Sequence, residues 1–132
     1  MIRVLDAYAL LVFFEREPGF EKVRSMFTQA LDDGSDLLMT SVNFGEVLYI
    51  ILRECGKEKA EEIEKTTQTL PLQIVDVDMQ LARVAAWFKS RKKVSYVDCF
   101  AAALAKLRKG EVVTGDKEFK TLEGEIKVAW IS

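Results

Sequence analysis

The chain contains no histidine. That absence removes Ser-His-Asp triads, histidine-ligated zinc and any imidazole general base. Cysteine is nearly absent as well: Cys55 and Cys99 are the only two, so neither a disulfide framework nor a thiolate zinc site is available. Both fall in apolar helical patterns, which suits packing better than nucleophilic catalysis without a histidine partner. Only 2 prolines and 7 glycines occur among 132 residues, and 49% of residues are hydrophobic, so one domain with a sizeable core is expected rather than disorder. There is no long hydrophobic run. The apolar stretch from Ala7 to Phe14 ends at Glu15, far short of the roughly 20 residues that a membrane span needs. The N-terminus has no signal-peptide layout, and a soluble, cytoplasmic protein with no membrane association is expected. Charge of one sign is also missing: 19 basic residues face 21 acidic ones, for a net charge of −2. That balance argues against a protein that coats nucleic acid, while leaving room for a local patch. Any chemistry must therefore run on carboxylates, hydroxyls, amines or a metal.

What is present is an alternation of short β-prone runs with longer runs of helical period. Ile2 to Leu5 reads as a strand, and residues 7–15 place Ala7, Leu10, Leu11 and Phe14 on one helical face. Pro18-Gly19 breaks that pattern before a second helix, which Gly34 closes. Leu37 to Thr40 reads as a buried strand, residues 43–55 as a helix ended by Gly56, and residues 57–69 as a charged helix with Ala60 and Ile63 facing inward. A strand at 72–77 precedes Asp78, which stands where a helix cap belongs. Ser95 opens an alanine-rich helix that ends at Gly110, and Val112-Val113 and Ile126 to Ile131 read as the last strands. Five strands separated in this way predict a single α/β domain over 1–132, a three-layer α/β/α sandwich around a central parallel sheet.

In such sheets ligands bind beyond the carboxyl ends of the strands. Four acids fall there. Asp6 follows the first strand, Glu46 and Asp98 lie in the first turns of the helices after Asn43 and Ser95, and Asp116 follows the Val112-Val113-Thr114 strand. Each also has a structural explanation. Glu46 and Asp98 stand three residues after Asn43 and Ser95, as capping-box acids do, Asp6 could cap the first helix, and Asp116 could be a turn residue. Taken together they fit that explanation less well, because Asp6 interrupts an apolar run and Asp98 sits among Tyr96, Val97, Cys99 and Phe100 with no counter-charge between Lys93 and Lys106. Unpaired carboxylates in apolar surroundings are costly unless a cation compensates them. One all-oxygen cluster for Mg²⁺ or Mn²⁺ accounts for all four. Metal-dependent hydrolysis of a phosphoester is the expected chemistry.

The segments Leu5-Asp6-Ala7-Tyr8-Ala9-Leu10, Thr40-Ser41-Val42-Asn43-Phe44-Gly45-Glu46-Val47, Ser95-Tyr96-Val97-Asp98-Cys99-Phe100-Ala101-Ala102 and Val113-Thr114-Gly115-Asp116-Lys117-Glu118-Phe119 carry a resemblance. In this order and spacing they are similar to PIN domains of the VapC toxin type, over essentially the whole chain. The resemblance implies an endoribonuclease with Mg²⁺ or Mn²⁺ as cofactor, a homodimer, and an antitoxin partner that covers the site. By position Asp6, Glu46, Asp98 and Asp116 match the family's four acids, and Thr114 matches its small hydroxyl residue. Many members have a further aspartate where this chain has Glu118, which stands with Asn43 and Thr114 as a supporting candidate.

An RNA substrate needs basic residues at its phosphates. Lys89, Arg91, Lys92 and Lys93 precede the Ser95–Asp98 turn, and Lys117 and Lys120 follow close after Asp116. Tyr8 and Tyr96 are candidates for stacking on bases, although packing explains them too. The competing expectation is a catalytically silent PIN-like binding module, acting through the 57–69 helix and the hydrophobics of the first two helices. A haloacid-dehalogenase-like phosphatase is disfavoured because Tyr8 stands where its second aspartate belongs. A receiver domain is disfavoured because Asp6 has no acidic neighbour.

Overall fold

Side chains alternate across the faces of a strand, and in this chain both faces are apolar. The computed structural model, which describes residues 1–132, shows where each face goes. Strands β1 (Ile2–Leu5), β2 (Asp36–Thr40), β3 (Gln73–Val75), β4 (Glu111–Thr114) and β5 (Lys127–Trp130) form one sheet in the order β3-β2-β1-β4-β5. All four pairings are parallel, with Val4 opposite Val112 and Leu5 opposite Val113 at the centre. Val4, Leu38 and Val112 point into a core shared with α5 (Met79–Arg91) and α6 (Tyr96–Arg108). Their neighbours Leu5, Leu37, Met39 and Val113 point the other way. That core is shared with α1 (Ala7–Glu15), α2 (Phe20–Asp33), α3 (Ser41–Cys55) and α4 (Lys57–Thr69). This is the expected three-layer α/β/α arrangement.

Helix α6 is buried without interruption from Asp98 to Ala105. It touches α3, α5 and the central strands at once, and its run of alanines lets all of these backbones approach. Close packing on every side fixes the start of α6, where Asp98 sits.

Several boundaries differ from the sequence reading. Helix α3 begins at Ser41 rather than 43, because the Thr40 hydroxyl caps it by accepting from the Asn43 N–H at 3.0 Å. β3 is limited to 73–75, and β4 extends to Glu111 and Thr114. A 3-10 helix over Lys117–Leu122, absent from the sequence reading, follows Asp116. Cys99 is buried as expected, but Cys55 is exposed, because α3 ends there and the chain turns away at Gly56. No helix is long and apolar enough to cross a membrane.

Candidate active site

From β1 the chain winds outward through β2 and β3, then crosses back to place β4 on the other side of β1. The carboxyl ends of β1 and β4 therefore flank the point where the winding reverses, the usual ligand crevice of an open parallel sheet. Asp6 follows β1 and Thr114 ends β4. The Thr114 hydroxyl donates to Asp6 Oδ2 and accepts from the Asp116 N–H at 2.9 Å, so one side chain positions both acids. Asp6 Oδ1 accepts from the Ala9 N–H at 2.9 Å and caps α1. The capping explanation of Asp6 is thus correct, and it coexists with a place beside the other acids.

Asp98 departs from the capping-box geometry. The Ser95 hydroxyl caps α6 by accepting from the Asp98 N–H at 3.2 Å. In a capping box the Asp98 carboxylate would return to the Ser95 N–H. Here Glu118 Oε1 accepts from that N–H instead, at 3.1 Å. Glu118 reaches it because Asp116 Oδ1 accepts from the Glu118 N–H at 2.9 Å and opens the 3-10 helix. The Asp98 carboxylate is left free to face its neighbours. Asp98, Asp116 and Glu118 each offer a carboxylate oxygen, and these atoms all lie within 4.8 Å of one another.

Glu46 lines the same cleft, a cavity of about 310 Å³ that also has Tyr8, Leu11 and Ile50 on its wall. With Thr40 as the cap of α3, Glu46 lies beyond the first turn and is not a capping-box acid. Asn43, fully buried, donates from Nδ2 to the Val97 carbonyl at 3.2 Å and receives the Thr40 hydroxyl. It therefore joins α3 to the start of α6 without reaching the cleft itself. Of the residues expected at the site, the structure brings Asp98, Asp116 and Glu118 into one group. It sets Glu46 on the cleft wall and Asp6 behind, 1% exposed. Glu118 is more central than the sequence suggested. Only the 3-10 turn after Asp116 reveals this, and the pattern of residues does not announce that turn.

The electrostatics have one sign. Burial pushes the Asp6 carboxyl up to about 8; the Thr114 and Ala9 hydrogen bonds oppose this, and the charges of Asp98 and Asp116 add to it. Asp98 is pushed up to about 7, first by burial and then by the Asp116 charge. Glu46 is raised by burial, then by Asp116 and Glu118. None of the three forms an ion pair with a lysine or arginine. A set of oxygen donors without histidine or thiolate, drawn together without a counter-charge, fits a hard divalent cation such as Mg²⁺ or Mn²⁺.

The basic candidates fall into two sets. Lys89 Nζ donates to the Val94 carbonyl at 3.0 Å, while Arg91 and Lys92 both pair with Glu125, at 2.9 and 3.3 Å. These three are held by the protein itself. Lys93 and Lys117 are exposed and form none of its ion pairs.

Comparison with known structures finds the same fold in VapBC2 from Rickettsia felis bound to a DNA fragment from their promoter. The identity is 14%, 98% of each chain is covered, and the TM-score is 0.80. DNA-bound VapBC from Salmonella typhimurium matches at 17% identity over 100% of this chain and 99% of that one, with a TM-score of 0.76. VapC20 from Mycobacterium tuberculosis, described as a Sarcin-Ricin loop cleaving toxin, matches at 14% identity over 91% and 94%, with a TM-score of 0.72. No curated protein sequence matches the chain. At these identities the structures establish the fold, and the sequence itself establishes the family: the PIN domain family model matches residues 3–125, nearly the whole length, so this chain belongs to the PIN domain family.

Proposed function

We propose that the chain is a metal-dependent endoribonuclease and the toxin of a toxin–antitoxin pair, hydrolysing RNA phosphodiesters at the Asp98–Asp116–Glu118 cleft. The observation that carries this reading is the group of three carboxylates within 4.8 Å at the carboxyl ends of the central strands, with Glu46 beside it and no protein cation to neutralise it. Asp98, Asp116 and Glu118 would hold Mg²⁺ or Mn²⁺, with Glu46 on the cleft wall adding negative potential and Asp6 seated behind them, protonated in the metal-free chain. A divalent ion there supplies positive charge to phosphoryl oxygens and lowers the pKa of a water molecule, the activation that a chain without histidine lacks. Thr114 holds Asp6 and Asp116 in register, and Ser95 and Glu118 fix the start of α6 so that Asp98 faces the cleft. Lys93, Lys117 and Lys120, exposed and in none of the ion pairs, are basic candidates free to meet RNA phosphates.

The relatives support the biological setting. Two are VapBC complexes, and one is described as cleaving the Sarcin-Ricin loop. A cognate antitoxin, a homodimeric state and a cytoplasmic location belong to the same reading. Purified protein freed of any partner should cut single-stranded or structured RNA with Mg²⁺ or Mn²⁺ and stop when chelator is added. Undiminished cleavage in excess EDTA would overturn the metal-dependent reading. Absence of cleavage with Mn²⁺ across varied RNAs would favour the silent binding module instead.

A further inference from the structure

We infer that Tyr8 is the platform on which the nucleobase next to the scissile phosphate stacks, an assignment that rests on the ribonuclease reading. Tyr8 follows Asp6 by two residues, yet its side chain does not join the core: it is 40% exposed. Its position is nevertheless set by close contact. A Cβ added at Gly115 would lie 2.3 Å from Tyr8 Cε1 and 2.8 Å from Cζ, so the ring rests on a backbone position that only glycine leaves open. Gly115 immediately precedes Asp116. The aromatic ring is therefore seated beside the carboxylates, on the wall of the same cleft as Asp98, Asp116 and Glu118.

The surroundings of the ring select a base over other occupants. Tyr8, Leu11 and Ile50 line the acidic cleft and also a second cavity of about 330 Å³ that continues from it. These three side chains form an apolar shelf shared by the two cavities. Glu15, Glu17 and Glu54 line the second cavity but not the acidic cleft. Their charges repel phosphodiester backbone, so the cavity suits the uncharged base and not a continuing run of phosphates. A half-exposed aromatic ring over an apolar shelf meets the requirement for stacking, which is tolerant of base identity because every base presents a π-face. Tyr96, the other candidate, is turned edge-on to Phe100 with ring centroids 4.8 Å apart, and it does not line the acidic cleft.

Stacking on a ring that does not touch the reacting atoms contributes equally to the ground and transition states, so its loss appears in KM and not in kcat. The experiment uses a short RNA carrying a site that the wild-type protein prefers in a random-sequence pool with Mn²⁺, and a second copy with an abasic residue next to the scissile bond. Tyr8→Leu should raise KM on the intact RNA roughly tenfold with kcat nearly unchanged, and Tyr8→Phe should behave as wild type. The abasic RNA should show the same rise with wild type and no further rise with Tyr8→Leu. Equal KM for wild type and Tyr8→Leu, or independent and additive effects of the variant and the abasic site, would overturn the assignment while leaving the ribonuclease reading intact. A fall in kcat with unchanged KM would overturn it too, because it would mean that Tyr8 merely props up Asp6 and Asp116. Failure of the wild-type protein to cut any RNA in the pool would remove both readings together.

Discussion

A carboxylate near a helix start can be a cap, a ligand or both, and the sequence does not separate these roles. Asp6 and Asp116 are both caps, since each accepts one backbone N–H, while Asp116 is also a member of the acidic group and Asp6 lies behind it. Asp98 is the discriminating case. Its expected capping partner, the Ser95 N–H, is taken by Glu118. Asp98→Asn therefore removes charge without removing a cap. Cleavage should fall by at least about a hundredfold, since on the proposed reading this charge would hold the ion. The metal-free melting temperature at neutral pH should stay level or rise, because a buried like charge has been neutralised. Calorimetry beside a cleavage assay checks both halves, and a variant that stays within tenfold of wild-type activity would place Asp98 outside the site. The four acids at the strand ends were legible because strand positions could be read from local pattern. Glu118 was legible only as a supporting candidate, since its contact to Ser95 spans 23 residues. The pairing of Arg91 and Lys92 with Glu125 was hidden for the same reason: two residues of opposite sign, far apart in the chain, reveal nothing until the fold joins them.

At the scale of elements, the order of strands and helices was readable and their junctions were less so. Periodicity locates the middle of a helix, while its first residue depends on which side chain wins the cap. The spacing points to Asn43 as the start of α3, but Thr40 caps the helix and leaves the Asn43 side chain to bridge α3 to α6. That bridge aligns the helix carrying Glu46 with the helix carrying Asp98. Asn43→Ala should therefore destabilise the fold by about 1–3 kcal/mol, because the buried Thr40 hydroxyl loses its acceptor and the tie to the Val97 carbonyl is lost. Asn43→Asp should cost at least as much, since it keeps an acceptor for Thr40 but loses the donor to Val97 and adds a charge to an already acidic region. Denaturant titration measures both. If Asn43→Asp were as stable as wild type, the bridge would not be holding the two helices together.

For the whole molecule, an acidic crevice at the centre of the sheet makes stability depend on pH and on metal in a linked way. Asp6 and Asp98 hold their protons up to about 8 and 7 in the folded chain, whereas an unfolded aspartate releases its proton near 3.9. The folded state therefore binds more protons than the unfolded state between those limits. For a raised carboxyl, stability is fully present below the unfolded pKa and is lost as pH rises through the folded one. Glu46, also raised, acts in the same direction. Asp33 and Glu125 are lowered, so their effect is confined to the acid side of the ordinary carboxylate range. Cys99, pushed up to about 11, acts only in strong alkali. Between about pH 6 and about pH 8.5 the buried acids dominate, and the metal-free protein should lose several degrees of melting temperature as pH rises. On the proposed reading Mn²⁺ would bind the deprotonated cluster, so it should stabilise the protein most at the alkaline end, by about 2.7 kcal/mol at a hundredfold excess over its dissociation constant. The pH slope should accordingly flatten or reverse with metal present. Melting curves across this range, with EDTA and with Mn²⁺, give the comparison. Parallel curves in the two buffers would mean that the buried acids and the metal do not share a site, because ions that compete with protons for the same carboxylates must change the proton linkage of folding.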